Sequence, residues 1–168
     1  MQGGRSDHRS GFAPVVNSFV RPGTADDRAY LIDLSQRTVM DSVAAFRPAT
    51  HRQVIRALDR LFDSVDAQSH ETLIVEYDGR RAGFLIVLDE LPDEVTALPQ
   101  GFIAYMAVEP KLRGRGLASL LLAEAERMAR ERGLPYMSLM VTEDNAPARE
   151  LYERRGYLTE RRLMSKPL

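Results

Sequence analysis

Apolar residues recur along this chain at two spacings, and the spacing changes partway. Over 51–65, "HRQVIRALDRLFDSV", Val54, Ile55, Leu58, Leu61, Phe62 and Val65 fall three or four residues apart. That is the repeat of a helix with one buried face. A weaker stripe of Tyr30, Leu31, Leu34 and Val39 predicts an earlier helix. Thr24 caps it, with Asp26 and Asp27 in the first turn, where carboxylates suit the helix dipole. In front of it, "NSFVRPG" (17–23) reads as a short strand stopped at Pro22-Gly23.

Beyond residue 70 the pattern becomes that of strands. "ETLIVEY" (71–77) and "RAGFLIVL" (81–88) flank Asp78-Gly79, a strong hairpin signal. "DELPDEVTALPQ" (89–100) reads as an acidic loop, and "GFIAYMAV" (101–108) as a strand buried on both faces. A helix is predicted over 116–132, with the stripe Leu117, Leu120, Leu121, Ala125 and Met128 and with Gly133 just past its end. "PYMSLMV" (135–141) returns to strand. "APARELYERRG" (146–156) reads as a short helix, with Asn145 at its start, Pro147 in its first turn and Gly156 after it. "YLTERRLMSKPL" is expected to finish the chain with one or two strands. The order β-α-α-β-β-β-α-β-α-β describes a mixed sheet with helices on its faces, in which 101–141 is a βαβ crossover. No internal repeat or second linker divides it.

Composition narrows the chemistry. A chain of 168 residues, 44% hydrophobic and 28% charged, fits one globular domain, 18–168, behind a Gly/Ser/Arg/His-rich segment, 1–17, that is expected to be flexible. A net charge of −1 disfavours a nucleic-acid partner bound by bulk charge, so any anion site must be local. No cysteine means no disulfide, no thiolate metal ligand and no Cys nucleophile. His8, His51 and His70 lack metal-site spacing, so no metal is expected. The N-terminus lacks the apolar stretch of a signal peptide and no apolar run reaches membrane-spanning length. The expectation is a soluble cytoplasmic protein with no membrane partner.

Residues 108–119, "VEPKLRGRGLAS", stand out. Lys111, Arg113 and Arg115 alternate with Gly114 and Gly116 between a strand and a helix. Glycines there let several N–H groups point into one concavity at a helix mouth, which suits a phosphate. The P-loop pattern fails because Leu117 follows Gly116, and the dinucleotide pattern fails for want of a third glycine. Alone, the stretch reads either as an anion seat or as a basic turn.

Two motifs together decide the matter. Arg113-x-x-Gly116-x-Ala118, directly after "YMAV", resembles the acyl-CoA signature of the GNAT superfamily of N-acyltransferases. Further on, Asn145-x-x-Ala148-x-x-Leu151-Tyr152-x-x-x-Gly156-Tyr157 resembles that family's second motif. The resemblance covers 70–168 well, fits 18–69 by order of elements only, and does not touch 1–17. It implies a single α/β domain with a mixed, largely antiparallel sheet of six to seven strands, about four flanking helices and a splayed central strand pair. In that gap the backbone of Met106, Ala107 and Val108 would hold the pantetheine of acetyl-CoA. Main-chain N–H groups of Arg113, Gly114, Arg115, Gly116, Leu117 and Ala118 would wrap the pyrophosphate. Asn145 would reach the pantetheine, and Tyr152 would protonate the leaving thiolate. The two positions where relatives carry a glutamate base match Phe102 and Met140, neither acidic; Glu71, Glu76, Glu109 and Glu143 remain as candidates, as does water.

The implied function is acyl transfer from acetyl-CoA to an amine, small molecule or peptide, by direct attack. A non-catalytic CoA-binding module on the same scaffold is the alternative. The acceptor is unspecified, and a homodimer is compatible with the resemblance.

Overall fold

The computed structural model describes residues 17–168, so His8 and nearly all of the segment expected to be flexible lie outside the described residues. Strand β1 (Ser18–Pro22) leads through a 3-10 turn (Ala25–Asp27) into α1 (Arg28–Thr38), a second 3-10 turn (Val39–Ser42) and α2 (His51–Asp66). Then come β2 (His70–Tyr77), β3 (Arg80–Pro92), β4 (Pro99–Val108), a 3-10 turn (Pro110–Leu112), α3 (Leu117–Glu131), β5 (Met137–Leu139) and α4 (Ala146–Arg154). The five strands form one sheet in sequence order. The first four pair antiparallel, and β5 pairs parallel with β4 across the α3 crossover.

The strand count is a correction, because the expected sixth and seventh strands do not form. Residues 157–168 join no ladder, and Leu158, Leu163 and Met164 lie about nine-tenths exposed there. The predicted strand over 135–141 shrinks to three residues. Conversely, β3 and β4 grow into the acidic loop, where Leu91 pairs with Gln100 and Pro92 with Pro99. The hairpin at Asp78-Gly79 forms as expected: both residues are left-handed, φ 50° and 71°, the conformation of a two-residue turn between twisted strands.

Two apolar layers sandwich the sheet. On one side Leu31 and Leu34 of α1 and Val54, Leu58, Phe62 and Val65 of α2 pack on Ile74, Phe84 and Ile86. On the other, Leu117, Leu121, Leu122 and Ala125 of α3 pack on Leu73, Val75, Leu85, Val87 and Ile103. Burying each of the valine, leucine, isoleucine and phenylalanine side chains favours folding by about 1.5–3 kcal/mol. The α3 face also receives Leu151 and Tyr152 of α4.

The turn between β1 and α1 is held by one buried carboxylate. Asp27, with 1% of its side chain exposed, accepts from Arg21 at 2.7 and 2.9 Å and from the Thr24 N–H at 2.8 Å. Arg81 pairs with it at 2.7 Å from β3. The Arg21 hydrogen bonds, with help from the Thr24 contacts and against burial, which pushes the other way, hold its carboxyl well below the usual range. A depressed folded-state pKa stabilises the protein at any pH above the unfolded value of about 3.9, and that stability is lost as pH falls below it. Asp27→Asn therefore costs about 3 kcal/mol in urea unfolding at neutral pH. The variant also lacks the wild type's extra loss of stability on acidification below about pH 4.

Candidate active site

The central strand pair parts almost as soon as it forms. β4 and β5 are in register only at Gly101–Met137, Phe102–Ser138 and Ile103–Leu139. Gly101 makes that closeness possible, since a Cβ there would meet Met137 Sδ at 2.9 Å. β4 then runs on to Val108 with β3 on one side and, among the described residues, no strand on the other. The cause lies in its own register. Ile86 faces Tyr105 while Val87 faces Ile103, so Ala104 is an extra residue at the point of separation. A bulge bends its strand and increases its twist, which swings the end of β4 away from β5. Met106, Ala107 and Val108 lie along the open stretch.

At the C-terminal end of β4 the chain makes the glycine turn. Gly114 and Gly116 are left-handed, φ 75° and 79°, and a Cβ on either would meet nothing within 4 Å. Gly116 is the N-cap of α3, whose first ladder bond runs from Leu120 N–H to Gly116 C=O at 3.1 Å. The N–H groups of Leu117, Ala118 and Ser119 therefore have no acceptor inside the helix. Among the described residues, no main-chain bond made outside the helices and strands is donated by Gly114, Arg115 or Gly116 either. Leu117 is 1% exposed, so its side chain belongs to the core while its N–H belongs to the turn.

The arginine side chains are occupied elsewhere. Arg113 pairs with Asp41 at 2.9 Å, and its Nε faces the Val108 carbonyl at 3.4 Å. Arg115 donates to the Tyr77 hydroxyl at 3.0 Å and lies over its ring. What the turn offers inward is main-chain N–H.

Tyr152 approaches from α4, on the α3 face of the sheet, in the packing layer that contains Met106, Ala118 and Leu139. Its ring meets Tyr157 edge-on at 5.7 Å. Burial pushes its phenol up to about 12. Asn145 caps α4, its Oδ1 accepting from the Ala148 N–H at 3.3 Å, which leaves its amide NH2 to donate.

The carboxylates considered as bases are all paired. Glu71 meets Arg132 at 2.6 Å, Glu76 meets Arg21 at 2.7 Å, Glu109 meets Arg37 at 2.9 Å and Glu143 meets Arg149 at 3.0 Å. Phe102 packs against the α2 side of the core, and Met140 is 83% exposed.

Sequence reasoning missed the connection between α1 and α2. Asp41 reaches Arg113 just beyond β4, while Thr142 Oγ1 donates to the Ser42 carbonyl at 2.6 Å just beyond β5. The Ala45 N–H adds a bond to Asp144 at 2.8 Å. Residues 41–45 thus link the C-terminal ends of the two parted strands. These contacts join positions 72 to 100 residues apart, and no local pattern announces them.

A mixed α/β sheet with a parted parallel pair, an N–H-lined turn at one end and a half-buried phenol on the α3 face can take an extended ligand with a phosphate end. Residues 38–157 match the model of the acetyltransferase (GNAT) family, and the chain belongs to that family. An acetyltransferase of Yersinia enterocolitica is 37% identical over 65 residues, 39% of this chain. The matched part spans 46% of that relative, about half its length. A candidate acetyl transferase from Pyrococcus furiosus superposes with a TM-score of 0.77 at 25% identity, covering 90% of this chain and 99% of its own. An aminoglycoside N-acetyltransferase in complex with CoA shares the fold, with a TM-score of 0.63 at 17% identity over 90% of this chain and 94% of its own. Among the described residues no helix is long and apolar enough to cross a membrane.

Proposed function

We propose that this protein transfers the acetyl group of acetyl-CoA directly to a primary amine. The observation that carries the reading is the position of the glycine turn at one end of a gap whose α3 face holds Tyr152. The strand edge from Met106 to Val108 takes the pantetheine as a strand takes a neighbour. The N–H groups from Gly114 to Ala118 take the pyrophosphate, whereas that of Arg113 is already given to the Pro110 carbonyl at 3.4 Å. Asn145 donates its free amide hydrogens to the pantetheine. The amine enters from the opposite face, under residues 41–45.

In the reaction the amine nitrogen attacks the thioester carbonyl, a C–N bond forms, the C–S bond breaks, and the ammonium proton is released. Tyr152 donates a hydrogen bond to sulfur as charge gathers there. Burial raises the phenol above its ordinary value, so it is protonated at neutral pH and available as a donor to the departing sulfur. A chain without cysteine fits direct attack rather than an acyl-thiol enzyme.

A second reading, a CoA-binding module without catalysis, has one observation in its favour: Phe102 and Met140 stand at the base positions and every candidate glutamate is ion-paired. Thiol release from acetyl-CoA across a panel of polyamines, amino acids, aminoglycosides and N-terminal peptides separates the two. Amine-dependent release above the no-amine rate is expected. Tight CoA binding without release for any amine would leave the module.

A further inference from the structure

Two ion pairs brace the short segment from which the glycine turn departs. At its start Arg37, in the last turn of α1, forks onto the Glu109 carboxylate with bonds of 2.9 and 3.0 Å. Asp33 steadies the same guanidinium at 2.8 Å. At its end Asp41, in the 3-10 turn that follows α1, takes the Arg113 guanidinium at 2.9 Å. The spacings match, since 37 and 41 are four residues apart and so are 109 and 113. The signs are crossed: a cation meets an anion at one end, and an anion meets a cation at the other. Between the two pairs the backbone is closed on itself. The Glu109 N–H donates to the Ala82 carbonyl at 2.9 Å and the Leu112 N–H to the Glu109 carbonyl at 2.8 Å. The glycine turn beyond has no such hold. A Cβ on Gly114 or Gly116 meets nothing within 4 Å, so the turn takes its direction from residue 113 on one side and α3 on the other.

We infer that, on the reading of this turn as a pyrophosphate seat, Arg37 and Asp41 are positioning residues for the donor: as a clasp from the end of α1 they fix residues 109–113 and so aim the N–H groups of the turn. Neither needs to touch the ligand. The four side chains are between 24% and 52% exposed, and ion pairs so exposed add little to the stability of a fold. The protein therefore stands without the clasp, and what the clasp supplies is direction. A turn that is aimed only part of the time binds its ligand in proportion to that fraction. Two other roles for the same residues predict the opposite sign. Glu109 and Asp41 are anions beside the seat of an anion, so a purely coulombic effect makes removal of either charge tighten CoA binding. If Asp41 served only to withhold Arg113 from the ligand, its removal would tighten binding as well. The clasp alone predicts that neutralising the anion or the cation of a pair weakens binding.

Calorimetric titration of CoA into the full chain and its variants tests this. Arg37→Gln, Glu109→Gln and Asp41→Asn are each expected to weaken CoA by roughly threefold to tenfold, and Arg37→Gln/Asp41→Asn by at least tenfold. Combining Arg37→Gln with Glu109→Gln is expected to cost no more than either alone, because both break one pair. In turnover, Arg37→Gln should raise the KM for acetyl-CoA by the factor seen in Kd and leave kcat at saturation within about twofold, a split that loss of folded protein does not produce. Arg37→Lys, which keeps the charge without the fork, should fall between Arg37→Gln and wild type. Thermal unfolding of every variant should stay cooperative. Were Arg37→Gln to fail to fold, Asp41→Asn at its half-exposed site carries the same test of sign. Unchanged or tighter CoA binding in Asp41→Asn or Glu109→Gln overturns the clasp. A kcat that falls in Arg37→Gln while KM stays fixed overturns it too. A wild-type chain that does not bind CoA at all overturns instead the reading of the turn, and the clasp with it.

Discussion

Gly116→Glu is expected to abolish CoA binding while the protein stays folded. The two halves of that result have separate causes. A Cβ at Gly116 meets open space, so the only folding cost is that of holding a non-glycine residue at φ 79°, about 1–2 kcal/mol. A carboxylate at the mouth of α3 even suits the helix dipole. It fills the same concavity that the pyrophosphate needs, however, and opposes it with like charge. Titration calorimetry should find CoA affinity reduced by at least about 100-fold, or 2.7 kcal/mol. Gly116→Ala carries the same backbone strain without the charge and should lose far less. Thermal unfolding of both variants should remain cooperative. A Gly116→Glu protein that binds CoA within a few-fold of wild type would move the pyrophosphate seat elsewhere.

Tyr152→Phe should lower kcat by about 100-fold at saturating acetyl-CoA, with CoA affinity little changed. The substitution removes one oxygen from a ring held by Tyr157 at 5.7 Å and by the α3-side layer, so packing survives. Because burial raises the phenol above its ordinary value, the wild type should show no loss of activity from its ionisation between about pH 6 and 9. An amine with an ordinary pKa instead sets the acid limb. Unchanged turnover in the phenylalanine variant would take Tyr152 out of the chemistry.

Most of this fold could be read from local pattern. The α2 stripe, the Asp78-Gly79 turn, the span of α3 and the crossover it makes all rest on interactions within a few residues, where spacing and turn chemistry decide. The failures are all non-local. Nothing in "YLTERRLMSKPL" says whether an edge is available to it, and strand composition without a partner makes no strand. β3 and β4 extend through acidic residues because cross-strand pairing outweighs local polarity there. At the candidate site, Gly114, Gly116 and Tyr152 were visible as motif. The ion pair of Arg113 with Asp41 was not, because it is made across the fold. It changes the reading of the turn, since the most conspicuous cation in the motif is already neutralised in the resting protein.

The bulge at Ala104 has a consequence beyond geometry. By turning β4 away after three pairs, it leaves a row of backbone groups that a continuous sheet would have joined. The resting protein forgoes that cohesion, and a ligand lying in the gap restores it. At one hundred times its Kd, such a ligand adds about 2.7 kcal/mol to the folded state. On the reading proposed above, the lifetime of this protein against cellular proteases rises and falls with the supply of its acetyl donor. Copies that find no donor are the ones most readily cleared.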